Sequence, residues 1–172
     1  MKKRKENKKA EVFGMSFGMI FSIILIVFIL VVAGIAINAF LNTQKCAQIG
    51  LFIEDLQKDV DSAWNSEKSS LSAGYNLPLG LNYVCFANLS EGVSGGTLER
   101  DIYNEISLYK LSEGNMFFYP RTKSCNMPYI NLKHIDISGI TSSRNPYCFE
   151  VKEGKVSIKI EKGFNQALVG LK

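Results

Sequence analysis

The sequence predicts an α+β fold in which a long N-terminal helix, first membrane-spanning and then amphipathic, packs on a small, mainly antiparallel β-sheet head domain. Three observations predict it. Residues 12–44 carry no charged side chain. Apolar residues then continue at helical spacing as far as Trp64. Beyond residue 80, short segments rich in aromatic and β-branched side chains are typical of strands.

These features predict three regions along the chain. Residues 1–10 form a basic leader in the cytoplasm, and residues 11–44 form a transmembrane helix. Residues 45–172, which we call the head domain, form an α+β domain outside the membrane, and the helix continues into it to about residue 64. A segment of this length is large enough to close its own hydrophobic core.

The net charge of +4 belongs to the first few residues. Residues 1–11 contain six Lys or Arg and two Glu, whereas the other 161 residues contain fourteen of each sign. A nucleic-acid-binding domain carries a basic face, and this chain has only a basic tail. We therefore expect no nucleic-acid partner.

The uncharged run is long enough to cross a membrane. Residues 15–41 contain neither proline nor charge, and a bilayer core of about 30 Å needs about 20 apolar residues. A buried core helix is rarely so long and so uniformly apolar. A removable secretory signal has an apolar region of only about 7–15 residues before its cleavage site. Because the basic residues precede the run, we expect the N-terminus to face the cytoplasm and residues 45–172 to lie outside.

Small residues form one stripe on the membrane helix. Gly14, Gly18 and Ser22 are four residues apart, which lets another helix backbone approach closely. The stripe predicts a helix–helix contact, and chance spacing of small residues is the alternative.

An amphipathic pattern follows the uniformly apolar run. Its apolar positions recur at spacings of three and four, which is the stripe of a helix that faces a core. A serine-rich segment with Gly74 then favours the end of the helix after Trp64. The apolar positions are Cys46, Ile49, Ile53, Leu56, Val60 and Trp64.

The rest of the head domain is predicted to consist of short strands with one helix. An amphipathic helix is predicted within residues 97–111, and Glu153-Gly154 predicts a hairpin turn. Residues 163–171 fit either a last strand or a short helix. The predicted strands are residues 81–88, 116–119, 129–137, 147–152 and 156–160.

All four cysteines lie in the part expected outside the cytoplasm, where an even number favours disulfides. Four cysteines allow three connectivities. Cys85 and Cys148 both lie in strand-like segments, which favours that pair and leaves Cys46 with Cys125. The second bridge would then staple the helix to the sheet. Free, buried thiols are the alternative.

Asn88-Leu89-Ser90 is an N-x-S/T sequon. Asn88 is therefore a candidate for glycosylation if its loop is exposed on the outer side.

Catalytic residues are not evident. His134 is the one histidine. In a strand it would share a face with Asp136, but a single surface or half-buried histidine is the better interpretation. No serine or cysteine stands in a nucleophile motif, and the glycines near residue 95 lack the lysine of a phosphate-binding loop. Since no histidine or cysteine cluster suits a metal, we expect no enzyme, no metal and no cofactor.

The first forty residues resemble the class III signal peptides of archaeal type IV pilins and related pilin-like surface proteins. Lys9-Ala10-Glu11-Val12 fits the basic, small, variable and apolar positions of that motif. The resemblance implies that a prepilin-type peptidase cuts after Ala10. It also implies that the apolar helix bundles with other subunits in a filament while the head forms the outer surface. Many type IV pilins carry glutamate at the fifth mature position, which is Met15 here.

The expected function is that of a pilin-like cell-surface subunit. Cleavage would leave 14 basic and 15 acidic residues, and it would remove the fixed basic anchor that holds the helix in the bilayer. The alternative is a permanently anchored single-pass protein whose extracellular domain binds a partner. An anchored hydrolase with an unrecognised site is the third alternative.

Overall fold

The computed structural model describes residues 17–172, which divide between Thr43 and Gln44 into two compact units. The architecture is α+β, as predicted: one long N-terminal helix and two small antiparallel sheets. Seven further helices or strands longer than two residues follow the first helix, along with one two-residue strand and two short 3-10 helices.

Helix α1 runs from Phe17 to Trp64 without interruption. Every residue in 18–45 is exposed, and the following residues bury one face of the helix. The predicted end at Trp64 is confirmed, whereas the predicted start near Glu11 lies outside the described residues. The buried face consists of Ile49, Phe52, Leu56, Val60 and Ala63.

The two sheets have three strands each, in the orders β1-β5-β6 and β3-β2-β4, and all neighbouring strands are antiparallel. Helix α2 lies between β2 and β3 in the chain, and the short helix α3 precedes β4. The bounds are β1 Ser69–Asn76, β2 Tyr83–Phe86, α2 Thr97–Ile106, β3 Met116–Tyr119, α3 Ile137–Thr141, β4 Tyr147–Glu150, β5 Lys155–Lys162 and β6 Gly170–Leu171.

The main core lies between the buried face of α1 and the two sheets. Phe52 is at its centre, since its ring meets Tyr75 of β1 at 5.4 Å and Phe118 of β3 at 5.9 Å. A second cluster joins Ile102 and Ile106 of α2 to Phe117 of β3. Because side chains alternate along a strand, neighbouring residues of β3 supply both clusters.

The predicted strand at residues 129–137 is wrong. Only Ile130 and Ile135 make isolated bridges there, to Met116 and Val169. His134 adopts a positive φ of 65°, which interrupts an extended strand. The Asp136 side chain then accepts the Gly139 N–H at 3.0 Å and caps α3.

Strand β1 was missed. Its serines and Gly74 were interpreted as the loop that ends α1, but eight residues pair in register with β5, from Ser69 with Lys162 to Asn76 with Lys155. Strand preference depends strongly on the neighbouring strand. The pairing partners are 79 to 93 residues away in the chain, and local composition does not reveal them.

The predicted turn at Glu153-Gly154 is present, with φ of 52° and 73°. Lys152 and Lys155 pair across it, but β4 and β5 then enter different sheets. Gly154 is needed here because a Cβ at this position would lie 2.8 Å from the carbonyl oxygen of Leu77. The ambiguous final segment contains the short strand β6.

Candidate functional site

The exposed part of α1 is the largest apolar surface in the described chain. Within residues 17–172, one helix is long and apolar enough to cross a membrane, with a mean hydropathy of 3.3 over its most apolar 18 residues. No Asp, Glu, Lys or Arg interrupts it between Phe17 and Gln44. A surface of this kind is unfavourable in water and is stabilised by lipid or by other helices.

Two of the three predicted small-residue positions are described. Gly18 and Ser22 lie one turn apart on α1, and the Ser22 hydroxyl donates to the Gly18 carbonyl at 2.7 Å. The hydroxyl is thus satisfied within its own helix. Gly14 and the predicted processing residues Lys9, Ala10, Glu11 and Val12 lie outside the described residues.

Both predicted disulfide pairs are present. Cys85 and Cys148 face each other across β2 and β4, with their Cα atoms 4.0 Å apart. Cys46 of α1 is bonded to Cys125, with the Cα atoms 5.4 Å apart. No free cysteine remains in residues 17–172, and the second bridge joins the helix to the rest of the head domain.

A ten-residue segment, Cys125 to His134, lies along the second half of α1, and we call it the strap. At one end it is bonded to Cys46. Farther along, the Gln57 side chain accepts the Lys133 N–H at 2.9 Å. The strap therefore meets α1 at the first turn inside the head domain and again near the end of the helix.

The far end of the strap is held by polar and aromatic contacts. His134 Nδ1 lies 2.9 Å from Asp61 Oδ1, and Gln57 donates to the same Asp61 oxygen at 2.7 Å. The His134 ring stacks on Trp64 at 3.8 Å with an interplanar angle of 5°. His134 is half-buried, as expected, and it shares no strand face with Asp136 because no strand forms there.

Sequence reasoning did not find the contact of His134 with Asp61 and Trp64. His134 lies 73 positions from Asp61 and 70 positions from Trp64 in the chain, and none of the three belongs to a motif. The apolar periodicity did place Trp64 at the end of α1, but it contained no information on what covers the ring.

The predicted glycosylation residue lies on a turn between β2 and α2. Asn88 is half-buried, and its side chain donates to Glu91 Oε1 at 2.9 Å and accepts the Ser90 N–H at 3.1 Å. The buried Asn145 side chain accepts the Asn88 backbone N–H at 3.1 Å and anchors the turn. Glycosylation at Asn88 stays a prediction.

No three His, Cys, Asp or Glu side chains are grouped to hold a metal ion in the part of the chain that the structure describes. One buried ionisable group is engaged inside the head: the Tyr75 hydroxyl donates to Asp59 at 2.6 Å. Burial, and then the neighbouring Asp59 carboxylate, raise the pKa of Tyr75. This bond joins β1 to α1.

Glu161 gives a testable pH dependence. Lys159 and Lys172 both pair with it, the latter at 2.7 Å, and they lower the pKa of its carboxyl from 4.5 to about 2. A lowered pKa stabilises the fold above the unfolded value, and this contribution is lost as pH falls from 4.5 towards 2. We expect NMR titration of the full chain to place the Glu161 midpoint near pH 2.

A matched variant tests the cause of that shift. Lys159→Met removes the pairing that lowers the pKa of Glu161 most, so the midpoint should rise towards 4.5. A wild-type midpoint that is already near 4.5 would contradict the pairing.

Comparisons of the chain with protein families, with curated proteins and with solved structures found no match.

Proposed function

We propose that this chain is a pilin-like subunit of the cell surface that is anchored by its N-terminal helix and assembles into a type IV pilus-like filament. The observation that carries the proposal is the single helix of 48 residues. Its first half is apolar, uncharged and exposed, and its second half is the spine of a small α+β head. One element therefore serves as membrane anchor and as scaffold of the head.

The disulfides support the proposed topology. One bridge joins Cys46 to Cys125 and the other joins Cys85 to Cys148. Disulfide bonds persist on the oxidising side of a membrane. The basic leader supports a cytoplasmic N-terminus. The proposal therefore places the head outside the cell membrane and, after assembly, on the surface of a filament.

In this proposal the side chains hold and pack the subunit, and none of them carries out a reaction. The four cysteines are bonded to one another, and His134 is engaged by Asp61 and Trp64. We propose no catalytic activity and no cofactor, and the expected partners are a prepilin-type peptidase, the membrane and other helices of the same kind.

The N-terminus of the protein recovered from its native membranes tests the proposal. Intact mass and N-terminal peptide mapping should show a chain that begins at Glu11. An Ala10→Leu variant should keep its leader, whereas Ala10→Gly, which retains a small residue, should be processed. A wild-type chain that still carries Lys2 to Lys9 would overturn the pilin proposal and favour a permanently anchored binding protein.

Filament assembly should depend on one face of α1. Gly18→Ile places a branched side chain on the small-residue stripe, so helices can no longer approach there, and filaments should be lost while the head stays folded. Electron microscopy of surface filaments is the measurement. Membrane insertion should be unchanged because isoleucine is at least as apolar as glycine.

Gly34→Ile is the matched control. Gly34 lies about 160° around the helix from Gly18, given about 100° per residue, and nothing in the structure lies within 4 Å of its Cβ position. Filaments should persist in this variant. Normal filaments from Gly18→Ile, or equal loss from both variants, would contradict an assembly face at Gly18.

A further inference from the structure

Basic side chains surround an exposed leucine at the end of the head domain where α1 enters it. All of them are exposed, and the leucine shows 74% of its surface. We call this surface the basic end; it consists of Lys45, Leu79, Lys123, Lys152 and Lys155.

The Cys46–Cys125 bridge brings the first of these residues together. Lys45 precedes Cys46 on α1, and Lys123 lies two residues before Cys125. The Cα atoms of the two cysteines are 5.4 Å apart. Lys45 and Lys123 therefore lie at the same end of the head domain.

Contacts of two turns extend this surface to the other residues. The stem of Lys123 lies over the turn that follows Leu77, since its Cε is 3.8 Å from the Cβ position of Gly80. Leu79 reaches the neighbouring turn, with its Cδ2 at 3.5 Å from the Cβ position of Gly154. The flanking residues of that second turn, Lys152 and Lys155, bond to each other through their backbones at 2.8 and 2.9 Å.

Charge is distributed unevenly over the head domain. Four cations lie at the basic end, and the acidic residues next to them in the chain are Glu150 and Glu153. Glu150 is paired with Lys152 at 3.1 Å. Residues 45–172 are neutral as a whole, so the basic end has an excess of two positive charges and the rest of the head an equal negative excess.

We infer that the basic end binds the anionic headgroups of the bilayer that α1 spans, with Leu79 inserted among the lipids. Lys45 is four residues beyond Leu41, the last residue of the apolar run, so chain length alone keeps this end close to the membrane surface. Lys and Arg near an anionic bilayer are attracted to it, and their stems extend along apolar surface while the charges stay in water. An exposed leucine among them suits the boundary between headgroups and acyl chains.

This inference rests on the membrane anchor of the proposed function and is independent of leader cleavage and filament assembly. It gives the head domain a bound orientation on the bilayer while the subunit is still in the membrane. Headgroup binding at this end leaves the acidic remainder of the head facing away from the bilayer.

Hydrogen exchange of the full chain in lipid nanodiscs is the test. One set contains phosphatidylcholine alone, and the other contains phosphatidylcholine with phosphatidylglycerol in a ratio of 2:1. Amides of residues 77–80, 121–123 and 152–155 should exchange at least threefold more slowly in the anionic nanodiscs at low salt. Because exposed charges are screened at high ionic strength, this protection should disappear at high salt.

Charge-reversal variants identify the surface. Lys123→Glu combined with Lys155→Glu should abolish the difference between the two lipids. Lys68→Glu, an exposed lysine near the other end of α1, should leave it unchanged. Leu79→Ser should reduce the protection of residues 77–80 in particular.

Each other outcome overturns the inference. Exchange that is equal in the two lipids, protection that survives the double variant, or protection that is lost in Lys68→Glu would each exclude headgroup binding by the basic end. Vesicle flotation separates the two proposals. A chain that fails to float with vesicles would overturn the anchor and this inference together, whereas a floating chain with equal exchange would overturn this inference alone.

Discussion

Replacing both Cys46 and Cys125 by serine should lower the free energy of unfolding of the head domain by about 2–5 kcal/mol, the range for removal of a native disulfide from a small domain. The bridge closes a loop of 79 residues, and long loops lose the most conformational entropy when they are closed. It also joins the start of the strap to α1. Without it, the strap stays in contact with α1 only through its far end, at Gln57, Asp61 and Trp64.

Denaturant unfolding of the full chain in detergent, followed by Trp64 fluorescence, measures this effect. Trp64 is the one tryptophan and stacks on His134 at the far end of the strap. A change in the fluorescence of Trp64 during unfolding therefore reports that the strap and α1 separate as one cooperative unit. The control variant Ala47→Ser with Thr122→Ser alters exposed neighbours of the bridge and should stay within about 0.5 kcal/mol of wild type.

A double serine variant as stable as this control would show that the strap is held without the bridge. The Cys85–Cys148 bridge is intact in both proteins, so the comparison isolates the staple between helix and strap.

Phe52→Ala should cost about 3–5 kcal/mol, the usual loss for a buried phenylalanine truncated to alanine. The Phe52 side chain is 2% exposed and meets rings from both sheets, Tyr75 at 5.4 Å and Phe118 at 5.9 Å. Its removal leaves a cavity at the place where α1, β1 and β3 converge. The same detergent-based unfolding measurement applies.

Leu51→Ala is the matched control, since it truncates a large apolar residue on the same helix at a side chain that is 58% exposed. Helix propensity changes little in either variant, so the difference between them reports packing. We expect Leu51→Ala to change the free energy of unfolding by about 0.5 kcal/mol or less. Equal losses of unfolding free energy in Phe52→Ala and Leu51→Ala would mean that the Phe52 ring does not hold the two sheets together through α1.

The helices and strands that the sequence predicted are those whose characteristic residue pattern lies within the element itself. The end of α1 at Trp64, strand β3 at Met116–Tyr119 and helix α2 all agree with the structure. In the two helices, burial of one face sets the spacing of the apolar residues, whereas β3 is a continuous apolar run that is buried on both faces. The disulfide pairs followed because Cys85 and Cys148 both lay in recognisable strand segments.

Elements that depend on distant partners were not predicted. Strand β1 is polar and contains Gly74, and it is ordered by its ladder with β5. The segment around His134 has the apolar alternation of a strand, but its residues serve the strap and the cap of α3 instead. In both places tertiary contacts outweigh local preference.

The predicted functional residues also divide into those set by neighbouring residues in the chain and those set by tertiary contacts. The apolar helix, the stripe at Gly18 and the basic leader are properties of consecutive residues, so the sequence by itself determined that one helix is long and apolar enough to span a membrane and where that helix ends. Only the tertiary structure decided which residues the head domain brings together beside the apolar run. The basic end assembles Lys45, Lys123 and Lys155 from three distant segments, through one disulfide and two turns. Charge that is neutral on average becomes polarised only when folding brings those segments together.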